Sequence, residues 1–454
     1  MYKKINFIGS NSDKKNILIT ASQLETREYT YGYIIPLIEL LKEDYNIYVL
    51  LESNSKTPDN YNLSNVYLFD KKVFGALKEK MRRKKEDPDS ENYNNEMIRN
   101  HLKEFFSNEP EFHNIIVVDN HNLMMPYNMY TKHPVLREYW NDFFDIFTDD
   151  EEIKKEVENL NEKWFRNIAK PFSPLTFRYY YKNILVNTCH ILHDMHGCKV
   201  DIIIIDPSAA IPYFDLHNIK YKHWYYTDDF RGPREYHRFP FPELQHLVYE
   251  KKFKPIVTKN LLTGNTKTLN HFFSGSLLNA KGTRKHIWEQ FFKNYRYDKT
   301  EFYFKVSLIY GLSEEEYKAI QDEVYNHPSF AGDFMDNVVY TNKLKSAKTA
   351  FIARSVSVEE ALTYRHIQYL DLDVLPLFDS EYDSTYTWIP KKFQDKLTVS
   401  NHEELMEKVD FYCNNETERI KLIDEMKEYY KINEWPKNWK QMTKETAFYQ
   451  ELCI

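Results

Sequence analysis

Glycine is scarce in this chain, ten residues in 454, and the scarcity excludes two large classes of nucleotide enzyme. Neither a G-x-G-x-x-G turn nor a G-x-x-x-x-G-K-[ST] phosphate loop occurs, so NAD enzymes and P-loop NTPases fall away. The G-x-S-x-G elbow of α/β-hydrolases is missing as well. Cysteine is rare: Cys189, Cys198, Cys413 and Cys453 show no disulfide framework, which points to a reducing, cytoplasmic setting. No apolar run nears the ~20 residues that cross a bilayer. The opening MYKKINFIGSNSDKK also holds no apolar stretch of signal-peptide length, so no membrane association is expected. An excess of positive charge is lacking too: the net charge is −7, and any contact with nucleic acid has to come from a local basic patch.

What is present is a globular composition, 42% hydrophobic and 16% aromatic, over a length that suits two domains. Short apolar runs at Asn16–Ala21, Asn46–Leu51, Asn65–Phe69, Asn114–Val118, Val200–Asp206 and His223–Thr227 read as strands, with a helix over Tyr31–Leu41. This βαβ rhythm predicts a parallel sheet covered by helices on both faces, the α/β class. Three prolines and a change of rhythm over residues 240–268 mark a boundary. Beyond it, His271–Ser274, Phe302–Ile309, Asn337–Tyr340 and Ala350–Ala353 read as strands of a second α/β domain, and the stretch after about residue 420 reads as helix.

Several clusters invite a chemical reading. Lys78, Arg82, Arg83 and Lys84 sit in a dense basic run that then turns acidic, and it suits either polymer phosphates or a solvated charged insertion. Arg166, Lys170 and Arg178 interleave with aromatic residues, a mixture that fits nucleic-acid stacking or equally a helix pair with snorkelling cations. In CHILHDMHGC, His190, His193 and Asp194 have the spacing of metal ligands on a helix, but Gly197 reads as a helix C-cap, where histidines are favoured without metal; no metal site is expected. Asp228 and Asp229 follow the HWYYT strand on a loop at its carboxyl end, as a base, as orienting carboxylates, or as a turn pair.

The most informative stretch is VSVEEALTYRHIQYLDLDVLPLF, residues 356–378. Ser355 and Ser357 offer a cap, two carboxylates occupy the first turn, and Ala361, Leu362, Ile367 and Leu370 recur at helical intervals before a short apolar strand at Val374–Phe378. Glu360 and Gln368 stand eight residues apart, two turns up one side of that helix, with Tyr364 and His366 between them. An E-x7-Q pattern so placed resembles the E-x7-E signature of retaining glycosyltransferases of the GT-B architecture. The loop Gly275 to Gly282 has the form G-x5-K-G, and Y-x-H-I-Q is followed after a gap by L-P-L-F. Together with HWYYTDD, these islands resemble the bacteriophage DNA α-glucosyltransferases.

The resemblance implies a GT-B fold of two Rossmann-like parallel-sheet domains facing a central cleft. Residues 1–250 would form the acceptor-binding domain with helical and basic insertions, residues 251–425 the nucleotide-sugar domain, and residues 426–454 a helix crossing back to the first. It implies transfer of a sugar, glucose in that family, from a UDP-sugar to a hydroxymethyl pyrimidine of double-stranded phage DNA, inside the infected host cell. No tightly bound cofactor and no metal are implied; the UDP-sugar is a co-substrate. Asp228 falls beside the transferred sugar, with Asp229 kept as a candidate from its place on the same loop; Gly275, Ser276, Lys281, Arg284, Arg354, Glu360, Tyr364, His366 and Gln368 fall on the donor. The basic residues above would meet DNA. This chain departs from the family in having Ser276 where an arginine holds the diphosphate, and Gln368 where a glutamate holds the ribose, so the phosphate charge passes to Lys281, with Arg284 or Arg354 beside it. Two other readings stay open: the same fold acting on a small molecule, protein or cell-surface glycan, which the net negative charge favours, or a catalytically inactive nucleotide-binding module, for which Ser276 and Gln368 leave room.

Overall fold

The computed structural model describes residues 3–4, 13–21, 28–52, 66–69, 93–119, 188–204, 221–225, 236–240, 243–254, 266–276, 287–305, 314–333, 337–353, 365–383 and 389–452. The first half of the chain carries strands β1 (Lys3–Lys4), β2 (Asn16–Ala21), β3 (Asn46–Glu52), β4 (Val66–Phe69), β5 (Asn114–Asp119), β6 (Lys199–Ile204), β7 (Tyr221–Tyr225) and β8 (Tyr236–Arg238). Its described helices are α1 (Glu28–Leu41), α2 (Tyr93–Phe106), α3 (188–196) and α4 (Glu243–Phe253). The strands form one sheet in the order β1-β4-β3-β2-β5-β6-β7-β8, parallel throughout except for β1 at the edge. Central strands such as NIIVVD are near-continuous apolar runs because both their faces are covered; Ile115, Ile116, Val117 and Val118 are fully buried.

The second half carries β9 (Leu269–Ser276), α5 (Trp288–Phe292), β10 (Thr300–Lys305), α6 (Glu314–Tyr325), β11 (Phe330–Gly332), α7 (Asn337–Lys345), β12 (Ala347–Ile352), α8 (Arg365–Asp371), β13 (Leu375–Asp379), α9 (Lys391–Leu397) and β14 (Thr398–Val399). Helices α10 (His402–Asn414), α11 (Glu416–Tyr429), α12 (Trp435–Lys444) and α13 (Ala447–Leu452) complete it. The sheet runs β11-β10-β9-β12-β13-β14, all parallel. Counted from its own first strand this is 3-2-1-4-5-6, the doubly wound Rossmann order; strands β2 to β7 of the first sheet repeat it. Two such units in series are the GT-B arrangement that the motifs implied.

The aromatic content fills the second unit. Phe273 on β9 packs at 4.5 Å from Phe292 and 5.3 Å from Phe304, and Phe291 lies 4.8 Å from Phe351. Below the same sheet Lys267 donates to the carbonyls of Lys345 (2.9 Å) and Leu372 (3.2 Å), so one cation serves the carboxyl ends of both α7 and α8; burial lowers its pKa to about 8. The last helices pack on the first unit. Phe448 on α13 is fully buried, with its ring 5.0 Å from Trp224 of β7 and 4.7 Å from Phe239, and α12 packs along α4.

One local expectation changes. Residues 337–340 form the start of helix α7, not a strand. The β-branched pair Val338–Val339 suggested extended chain, but a parallel connection from β11 to β12 requires a crossover helix, and that requirement overrides propensity. The proline-rich stretch at the boundary holds the buried helix α4, wound with wide π turns, as in the bond from Lys254 N to Tyr249 O at 2.7 Å. Its Gln245 accepts a hydrogen bond from Tyr33 of α1. The C-cap reading of CHILHDMHGC holds: Gly197 has φ +65°, its N–H bonds His193 O at 2.7 Å, and the His193 ring nitrogen Nδ1 lies 2.9 Å from Cys198 O.

Candidate functional site

In a doubly wound sheet the chain leaves the first and fourth strands in opposite directions and opens a crevice at their carboxyl ends. In the second unit those strands are β9 and β12, whose ends are Ser274 to Ser276 and Ile352. Helices α7 and α8, which follow β11 and β12, lie together against this part of the sheet: the Tyr340 ring of α7 stands 5.8 Å from Phe272 of β9, and its hydroxyl donates to Gln368 Oε1 of α8 at 3.3 Å.

Arg365, the first described residue of α8, crosses the crevice. Its Nη1 donates to the carbonyl of Ser274 on β9 at 2.9 Å, although its own helix belongs to the β12–β13 unit. The guanidinium is thereby fixed at the carboxyl end of the first strand. Burial raises the pKa of the neighbouring Tyr369 phenol, and the Arg365 charge offsets part of that rise, as expected of groups one helical turn apart. Arg365 was passed over in the sequence. The available signal was its place three residues before Gln368, on one helix face.

Gly275 continues β9 past Ser274. A Cβ there would lie 3.0 Å from the Phe273 ring, which the surrounding aromatic cluster prevents from moving aside, so glycine is required by close approach. Ser276 ends the strand. Gln368 is half-buried; His366 is 1% exposed, with its ring 5.1 Å from Tyr430 at the end of α11, so it forms a wall of the helix packing. Lys281, Arg284, Arg354, Glu360 and Tyr364 lie outside the described residues, as do Asp228 and Asp229, Lys78, Arg82, Arg83 and Lys84, and Arg166, Lys170 and Arg178.

The far end of α8 is anchored to the first unit. Asp371 pairs with His246 Nε2 of α4 at 3.2 Å and with Lys251 of the same helix. Burial would raise its carboxyl, but the bonds and charges of His246 and Lys251 outweigh it and hold the pKa below the usual value. The Lys251 ion pair and the His246 contact therefore set the position of the helix whose opposite end reaches the crevice. Among the described residues, no group of three or more His, Cys, Asp or Glu could hold a metal ion, and no helix is long and apolar enough to cross a membrane.

No protein-family model and no curated protein sequence matches the chain. Solved structures similar to it include an alpha-glucosyltransferase in complex with UDP-glucose and DNA containing an abasic site, 11% identical, TM-score 0.45, covering 92% of this chain and 95% of that one. The alpha,alpha-trehalose 6-phosphate synthase of Burkholderia multivorans is 9% identical, TM-score 0.43, over 97% of this chain and 96% of its own. The N-terminal domain of the Candida albicans trehalose-6-phosphate phosphatase is 11% identical, TM-score 0.42, over 99% and 100%.

Proposed function

We propose that this protein is a GT-B glycosyltransferase that moves a sugar, glucose in the first instance, from a UDP-sugar to the hydroxymethyl group of a pyrimidine in double-stranded phage DNA. The observation that carries the reading is the meeting of motif and topology: Gly275, the first residue of the G-x5-K-G pattern, lies at the end of β9, and Gln368, the last of the E-x7-Q pattern, lies on α8 after β12, the two strands that flank the crevice of the second unit. In this reading the acceptor hydroxyl attacks the anomeric carbon, and the bond from that carbon to the diphosphate oxygen breaks with its electron pair leaving on UDP. The hydroxyl proton passes to a carboxylate, for which Asp228 and Asp229 are the candidates, or to the departing phosphate.

The leaving diphosphate needs positive charge and oriented donors, which Lys281, Arg284, Arg354 and the loop amides from Gly275 onward supply without a metal. Glu360 serves the sugar, and Tyr364 lines the nucleotide side of the helix, whereas His366, buried against Tyr430, is left to the packing. The basic stretches around Lys78–Lys84 and Arg166–Arg178 carry the DNA phosphates. Incubation with radiolabelled UDP-glucose and hydroxymethylated duplex DNA tests the reading: label is expected in the DNA, and no transfer across a panel of donors and modified bases sinks it. The net charge of −7 favours a second reading, the same transfer to a small molecule, protein or glycan, which label appearing only in such acceptors would establish.

A further inference from the structure

The helix that follows β12 presents donors where an E-x7-E enzyme presents an acceptor. Arg365 and Gln368 are three residues apart, and so share one face of α8. The guanidinium has five N–H donors and no acceptor, in a planar fork that matches phosphate. Its bond to Ser274 O fixes it at the end of β9. Gln368 accepts from the Tyr340 hydroxyl on its oxygen at 3.3 Å, which orients the side chain and turns its amide NH2 to the opposite side, where it can donate to a ligand. A carboxylate at position 368 could only accept, as from a ribose diol; the amide can also donate, and it does so one turn from a cation.

We propose that Arg365 and Gln368 form one anion clamp on α8 that grips a diphosphate, and that Tyr340 is the positioning residue that turns the amide toward it. The inference rests on the nucleotide-diphosphate reading above only for the natural source of the anion. It has two consequences. The diphosphate charge lost with Ser276 is restored from a different element, the helix instead of the loop. The ribose hydroxyls contribute little to affinity, because the residue expected to hold them faces the phosphates.

Calorimetric titration of the full chain tests this with four probes: inorganic pyrophosphate, UDP, 2′-deoxyuridine 5′-diphosphate and uridine. Wild type is expected to bind pyrophosphate, and to bind UDP and its 2′-deoxy form within about threefold of one another. Arg365→Gln removes a charge-assisted contact and is expected to weaken UDP and pyrophosphate by roughly 10- to 100-fold, leaving uridine unchanged. Arg365→Lys keeps a point charge and is expected to lie between the two. Gln368→Glu is the decisive variant: the clamp requires it to weaken UDP and pyrophosphate tenfold or more, whereas a ribose-holding role requires it to tighten UDP. Tighter UDP binding by Gln368→Glu, equal losses of UDP and uridine in Arg365→Gln, or no pyrophosphate binding by wild type each overturn the proposal. Arg365-dependent binding of pyrophosphate without binding of any nucleoside diphosphate upholds the clamp and removes the glycosyl-transfer reading instead.

Discussion

At the scale of single residues, Gly275 and His271 are two constrained positions of the second unit. Gly275→Ala drives a methyl to 3.0 Å from a Phe273 ring boxed in by Phe292 and Phe304. A loss of about 1–3 kcal/mol is expected, read as a lower urea midpoint with an unchanged slope. His271 is fully buried between β10 and β12; Thr349 donates its hydroxyl to Asn270 O at 2.8 Å, so it accepts from His271 Nδ1 at 2.8 Å, and the ring is neutral with Nε2 unprotonated. Burial lowers its pKa from 6.5 to about 3. The unfolded chain therefore takes up a proton below pH 6.5 that the folded chain refuses. Stability is retained above that pH and lost as pH falls toward 3, at up to about 1.4 kcal/mol per unit from this one group. Urea titrations at pH 7, 5 and 4 are expected to show that slope, and His271→Gln to flatten it. At this scale little of the site was legible in the sequence. Gln368 and Gly275 stood out through their spacing, but the value of Arg365 lies in a carbonyl 91 residues earlier in the chain, a partnership that no local pattern encodes.

At the scale of elements the sequence was far more legible. Parallel strands buried on both faces are written as apolar runs, so β2, β3, β5, β6 and β13 could be located within a residue or two. Helix α7 was not legible, because its identity is dictated by a crossover and its own Val338–Val339–Tyr340 argues the other way. Helix α8 is the element on which the site turns, with its first residue bonded across the crevice and its last tied to α4. Asp371→Asn removes one charge of that tie and leaves the Lys251 ammonium and His246 without their anion. It is expected to weaken UDP binding several-fold with little change in the binding of uridine, since that tie sets the position of the helix that carries Arg365 and Gln368. On the first unit, Phe448→Ala empties the space between Trp224 and Phe239 and is expected to cost about 3–5 kcal/mol. Trp224 fluorescence and the urea midpoint read that loss.

At the scale of the molecule, two sheets with the same doubly wound order each offer a crevice, and the reading assigns the donor to the second. UDP at a hundred times its dissociation constant is expected to raise the unfolding free energy by about 2.7 kcal/mol. A thermal shift measures it, and no shift with any nucleoside diphosphate removes the donor assignment. If the basic stretches carry DNA, apparent affinity for duplex falls steeply with salt, with a slope close to the number of phosphates contacted, whereas a flat dependence frees those stretches of that role. Strand order was beyond reach of the sequence, since local patterns fix which segments are strands and not which of them lie side by side.

The lodging of Phe448 against Trp224 carries a cost in time. At roughly 5–20 residues per second, a ribosome needs on the order of 10 to 45 s to travel from one to the other. For that interval the first sheet has been made but its tryptophan flank is bare. The nascent protein thus passes through a sticky stage until α13 docks, and it would gain from a chaperone waiting at the exit tunnel.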